Sequence, residues 1–323
     1  MRSSSRVLAA LLASVAVVLA SCGDEEGSSS TSTDDRPTVV VTTNILGDVV
    51  ENLVGDEFQI VTIMPVGSDP HEFQPSAQQV AQIGAADGLI VNGAGFEEGL
   101  LDVIESAEGD GVPVFEAIGA VATIGFGGGH HDEQGDEDED EHEHGGDDPH
   151  FFTDPARMAI AADAIVAFLI ANVDGVDVDV LDANAAAYVA ELEALDREVE
   201  TVLADIPAKR RVLVTNHEVF GYFANRYGFE VIGTVIPSGT TVGGASAQEL
   251  VELAGVIEHE GVPAIFTDTS SSDKLASTLA DEVGEVEVVE LFSESLGSDD
   301  SQGATYLDMV RTNAERIADA LSG

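Results

Sequence analysis

Between Val178 and Ala204 the chain runs without a proline or a glycine, and Leu181, Tyr188, Leu192, Leu195, Val199, Val202 and Leu203 keep a helical period. At 1.5 Å per residue such a helix extends roughly 40 Å, longer than one sheet domain needs. A strut of that length requires something folded at each end. Both flanks read alike. Ahead of it, Thr38–Thr43, Phe58–Met64, Gly88–Asn92 and Val112–Phe115 are short β-branched or apolar runs, separated by helical segments at Ile45–Leu53, Ser76–Gly84 and Phe96–Ser106. Pro155, capped by Asp154, opens a further helix to about Asn172. Beyond the strut, strands at Arg211–Thr215, Glu230–Val235, Ala264–Asp268 and Val286–Phe292 alternate with helices at Asn216–Tyr227, Ala247–Glu260 and Lys274–Glu282, and Tyr306–Leu321 closes the pattern. Strands alternating with helices at this spacing predict parallel sheets. The expected fold is therefore α/β, with two similar lobes of mainly parallel sheet flanked by helices and joined by one long linking helix.

The first residues need separate treatment. Arg2 and Arg6 precede an apolar run from Val7 to Leu19, and Leu19-Ala20-Ser21-Cys22 closes it with small residues. Residues 1–21 read as an export signal. The closing tetrapeptide resembles the bacterial lipobox, which makes Cys22, the chain's single cysteine, the expected lipidation site. Acyl chains would anchor the protein to the outer face of the cell membrane rather than across it. Residues 22–36 are a polar, flexible tether; residues 37–172 form the expected N-terminal lobe, 178–206 the linking helix and 207–323 the C-terminal lobe. One cysteine allows no disulfide within the chain, so stability must come from the cores. With 12 Lys and Arg against 61 Asp and Glu, a formal charge of −49 excludes nucleic acid as a partner. Adaptation to high salt accounts for such a surface, and concentrating cations is the functional alternative.

Histidine is where the chain becomes specific. Four of the eight, His130, His131, His142 and His144, fall in an acidic, Gly-rich stretch (127–147) that has no apolar residues and is expected to be disordered, with weak auxiliary metal binding. Three others sit at strand ends or loops: His71 in Asp69-Pro-His71, His150 in Asp148-Pro-His150, and His217 just after the first strand of the second half. A site drawing on both halves would lie in the cleft between them, where small ligands commonly bind. His259, mid-helix between Glu258 and Glu260, reads as a solvated surface residue.

Three stretches, Asp69-Pro-His71-Glu-Phe-Gln-Pro-Ser76, Asp148-Pro-His150-Phe-Phe-Thr-Asp-Pro155 and Val214-Thr-Asn-His217-Glu-Val-Phe-Gly-Tyr-Phe223, resemble the metal-binding lipoproteins of ABC importers for zinc and manganese, the ZnuA/TroA-like substrate-binding proteins. The resemblance covers essentially the whole mature chain, including the linking helix and the His-rich loop of the zinc members. It implies a monomeric, extracytoplasmic protein with a metal site in the interdomain cleft and an ABC permease as partner. Carried over, the ligands fall on His71, His150 and His217. The fourth falls on Glu294 of Leu291-Phe-Ser-Glu-Ser295, where the manganese and mixed-metal members have aspartate; Asp299 is the rival, and Asp268 the alternative ligand or the outer partner that orients a histidine. Three imidazoles and one carboxylate suit tetrahedral Zn²⁺; Mn²⁺, which prefers more oxygen, is the alternative.

An enzyme reading competes, because three histidines with an open position also make a catalytic zinc site. Glu72 and Glu218 each follow a histidine, but neither stretch continues to the second histidine of a His-Glu-x-x-His motif. Adhesion, a label some members of the resembled family carry, has no independent sequence feature behind it.

Overall fold

The computed structural model describes residues 36–126, 146–284 and 286–322. Cys22, the expected signal segment and the tether (Arg36 excepted) lie outside the described residues, as do His130, His131, His142 and His144. Of the stretch 127–147 only Gly146 and Asp147 are described, and Asp147 forms an isolated antiparallel bridge with Gly125.

The described residues form two four-stranded, all-parallel sheets of the same design. In the first, β1 (Thr38–Val41), β2 (Gln59–Thr62), β3 (Gly88–Val91) and β4 (Val114–Glu116) lie in the order β2-β1-β3-β4. In the second, β5 (Val212–Thr215), β6 (Glu230–Thr234), β7 (Ala264–Asp268) and β8 (Glu287–Leu291) lie in the order β6-β5-β7-β8. Helices α1 (Asn44–Val54), α2 (Ala77–Ile83), α3 (Leu101–Gly109) and α4 (Pro155–Asn172) belong to the first lobe, and α6 (Gly221–Tyr227), α7 (Ala247–Glu260), α8 (Lys274–Val283) and α9 (Tyr306–Ser322) to the second. Between them runs α5 (Val178–Leu203), 26 residues long, ending three residues short of the expected 206.

Strand periodicity explains how the lobes are held together. Successive side chains of a strand face opposite sides of the sheet, so β1 sends Val39 and Val41 into one apolar cluster and Val40 into another. β7 does the same with Ala264 and Phe266 against Ile265. The outer faces make two separate cores, one under α2 and α3 and one under α7 and α8. The inner faces join a single core that includes α1, α4, α5, α6 and α9 and so belongs to both lobes. The long helix is therefore more than a strut: Leu181, Ala185, Tyr188, Leu192, Leu195, Val199 and Leu203 bury one face along its whole length.

Two helix starts differ from the sequence expectation, and both differences serve the cleft. The helix expected from Phe96 begins at Leu101, after a 3-10 turn at Glu98–Leu100, which leaves Phe96 buried among aromatic rings. The helix expected from Asn216 begins at Gly221. Thr215 Oγ1 donates to the His217 carbonyl at 2.7 Å, and Glu218 N donates to the Ser238 carbonyl at 3.0 Å. These bonds hold residues 216–220 out of the helix.

Candidate metal centre

Ligands of open α/β sheets sit beyond the carboxyl ends of the strands, and here two such ends face each other. In the first lobe His71 follows β2, while Glu97 and Glu98 follow β3. In the second, His217 follows β5, Asp268 ends β7 and Glu294 follows β8. His150 arrives on the turn that leads into α4.

The four side chains named from sequence come together. One ligand atom each from His71, His150, His217 and Glu294 all lie within 4.8 Å of one another, and all four residues are buried. Glu294 Oε1 is 2.8 Å from His71 Nε2, 3.0 Å from His217 Nε2 and 3.4 Å from His150 Nε2. The imidazole centroids form a near-equilateral triangle with edges of 5.9, 5.8 and 5.5 Å. Tetrahedral coordination with bonds of ~2.0–2.2 Å separates ligand atoms by ~3.4 Å, which falls between the 2.8 Å from Glu294 to His71 and the 4.8 Å within which all four donors lie. Three buried atoms of the cage residues, His217 Nδ1, Glu294 Oε2 and the inward-facing His150 Nε2, have no hydrogen bond among the described residues. Buried polar atoms normally have partners, and a cation on His150 Nε2 would supply one.

Two of the candidate ligands are held alike. The Asp-Pro-His motif works as the same turn twice. Asp69 Oδ1 accepts from His71 N at 2.9 Å, and Asp148 Oδ1 accepts from His150 N at 2.9 Å. Asp148 Oδ1 also lies 2.7 Å from His150 Nδ1, which fixes that ring with Nε2 inward. Tyr222 of the second lobe donates to the Asp148 carbonyl at 2.7 Å. A Cβ on Gly221 would collide with the Asp148 carboxylate, so only glycine lets α6 start this close to it. Phe96 packs edge-on against both His71 and His150, at 5.3 and 5.5 Å between centroids.

Asp268 departs from the role expected of it. It does not orient a histidine. Its Oδ2 accepts from Ser293 N at 3.0 Å, Glu294 N at 3.2 Å and the Ser293 hydroxyl, so it fixes the backbone from which Glu294 reaches inward. Asp299 is exposed on the following loop and lies outside the cluster. His259 is exposed, as expected. The groups that sequence reasoning missed are Asp148, Phe96, Glu97 and Glu98. Only Asp148 had a visible signal, the repeated Asp-Pro-His.

The cleft is stitched from side to side next to the cage. Asn44 Oδ1 accepts from Leu296 N at 2.7 Å, Gly67 N donates to Ser295 Oγ at 2.7 Å, and Thr241 Oγ1 donates to Asp69 Oδ2 at 2.6 Å.

Electrostatics favours a cation here. Burial alone would raise the Glu294 carboxyl, but the charge of His217 and the close approach of the His150, His217 and His71 imidazoles outweigh it and hold the group well below the usual carboxylate range. Burial also pulls His150 toward its neutral form. The hydrogen bond and charge of Asp148, reinforced by Glu294, overcome that and push the imidazole up to about 9. Below that pH the metal-free ring is protonated, and an ion must displace the proton. Metal affinity is thus expected to fall about tenfold per pH unit, for each proton displaced, as pH drops from 9 toward 6. Titrations at four pH values check this, and a flat series would contradict the proton assignment.

The chain is similar to known metal-binding proteins. A family model described as "Zinc-uptake complex component A periplasmic" matches residues 39–320. The zinc-binding protein TroA of Treponema pallidum is 31% identical over 294 residues, 89% of each chain. The manganese-binding lipoprotein MntA of Halalkalibacterium halodurans is 27% identical over 286 residues, 88% of each. Among solved structures, the periplasmic zinc-binding protein TroA from Treponema pallidum superimposes with a TM-score of 0.78 at 30% identity, covering 89% of this chain and 100% of that one.

Proposed function

We propose, from the premise that this chain belongs to the zinc-uptake complex component A family, that it is the substrate-binding component of an ABC importer and that its cargo is Zn²⁺, with Mn²⁺ as the alternative. The observation that supports this most directly is the convergence of three imidazole nitrogens and one carboxylate oxygen in a buried cage built from both lobes. His71, His150, His217 and Glu294 are the proposed ligands. Three nitrogens and one oxygen favour zinc over manganese by ligand type. The fourth corner is filled by a carboxylate instead of being left open for a reactive water, so the hydrolase alternative is set aside. In this reading nothing turns over: the ion is captured outside the membrane and passed to a permease. Cys22 as a lipid anchor, residues 22–36 as its tether and a monomeric state complete the proposal.

All four proposed ligands lie outside the stretch 127–146. Deleting that stretch is therefore expected to leave one tight zinc site per chain with unchanged affinity, measured by competition with a chromophoric chelator. Loss of the tight site in the deletion variant would move the primary site into the removed segment and overturn this assignment.

A further inference from the structure

We infer that Glu98 is a positioning residue for the cage, holding His71 with Nε2 aimed at the ion from a wall that solvent reaches. The inference rests on the reading of the cage as a metal site. His71 Nδ1 lies 3.1 Å from Glu98 Oε1. A neutral imidazole carries one N–H; a carboxylate at Nδ1 draws that hydrogen to itself and leaves the Nε2 lone pair for a metal.

The placement of Glu98 is built into the turn that carries it. Glu97, fully buried, accepts from Thr42 Oγ1 at 2.6 Å, Asn92 N at 2.6 Å and Gly93 N at 3.3 Å. This ties the turn to the ends of β1 and β3. On the other side of Glu98, a Cβ on Gly99 would collide with the Phe73 carbonyl oxygen, so the turn lies directly against the loop of His71. One neighbour anchors the turn, and the other allows it to touch the loop. Glu98 between them has little freedom to leave the His71 ring.

The three histidines are supported unequally. His150 has Asp148, itself buried, while His217 Nδ1 has no hydrogen bond among the described residues. Only His71 takes its partner from the surface: the Glu98 side chain is 40% exposed, against 2% for His71. The two residues line an open recess of about 470 Å³ together with Glu72, Gln74, Gly99 and Val242. His71 is therefore the ligand whose hold on the ion a change at the surface can loosen, and Glu98 governs the rate at which the ion leaves on that side.

The test compares Glu98→Ala, Glu98→Gln and, as a control in the same recess, Glu72→Gln. Zinc affinity and the rate of zinc loss to excess chelator are measured on the full chain, and the Nδ1–H proton of His71 is followed by NMR in the zinc-loaded protein. Loss of an outer partner costs ~10–100-fold in metal affinity. Glu98→Ala is expected to fall in that range, with zinc lost faster by a similar factor and the His71 Nδ1–H signal broadened by exchange. Glu98→Gln still offers an amide oxygen to Nδ1–H and should recover most of the loss; Glu72→Gln should match the parent. An alanine variant within twofold of the parent, or a glutamine variant no better than alanine, overturns the inference. If the parent chain takes up no zinc or manganese at all, it is the functional reading that fails, and the two failures are told apart.

Discussion

His217→Ala is expected to weaken zinc binding by well more than the ~10–100-fold that loss of an outer-shell partner costs. His217 is the only imidazole ligand the second lobe offers, and its Nε2 lies 3.0 Å from Glu294 Oε1. Without it the ion keeps two imidazoles and a carboxylate, and a water must take the place of the lost nitrogen. Folding should survive. His217 Nδ1 has no hydrogen bond among the described residues, so the side chain contributes to the metal-free structure through packing and one contact with Glu294. Thermal melting without metal should therefore stay within about 3–4 °C of the parent, the shift that roughly 2 kcal/mol produces in a chain of this size. The decisive comparison is a competition titration of both proteins with the same chelator. An affinity within tenfold of the parent would remove His217 from the ligand set.

How much of this was legible in the sequence depended on the range of the interaction. The α/β alternation and the long helix are local patterns, and both appear in the structure within a few residues. The Asp-Pro-His pair is local as well, since each aspartate closes a turn on the histidine two residues later. Glu98 could not be read, because it meets His71 from 27 positions away and its own neighbourhood looks like an ordinary acidic turn. The role of Asp268 was misjudged for a similar reason. A carboxylate at a strand end can face a ring or a backbone, and only the path of residues 293–294 decides between them. The helix expected at Asn216 failed because hydrogen bonds from Thr215 and to Ser238 outweigh local propensity.

The shared core also bears on how an ion is let in and out. An apolar cluster common to α1, α4, α5, α6 and α9 makes wide separation of the lobes costly, since it would expose surface worth about 25 cal/mol per Å². Relative motion is the default only where the interface between domains is small and polar. The hydrogen bonds from Leu296 to Asn44, Gly67 to Ser295 and Thr241 to Asp69 are few and sit beside the cage.

Glu294 makes the sharpest test, because it is the one negative charge among the four ligands and the one residue where this chain departs from the aspartate its resemblance led one to expect. Glu294→Gln keeps the shape and removes the charge. Truncating one partner of a buried charge pair costs about 2–5 kcal/mol, so zinc affinity is expected to drop between roughly 30-fold and several thousandfold. Glu294→Asp asks a different question. Asp268 fixes the backbone at residues 293–294, and Asn44 holds it again at Leu296. The main chain cannot follow a shorter side chain inward. The carboxylate should retreat from nitrogens that now stand 2.8–3.4 Å from it, and the aspartate variant should bind zinc at an affinity between the parent and the glutamine variant. Isothermal titration of all three proteins orders them. Glutamine binding as tightly as glutamate would show that the carboxylate is not a ligand, and aspartate binding as tightly as glutamate would show that the loop is not fixed in the way Asp268 and Asn44 imply.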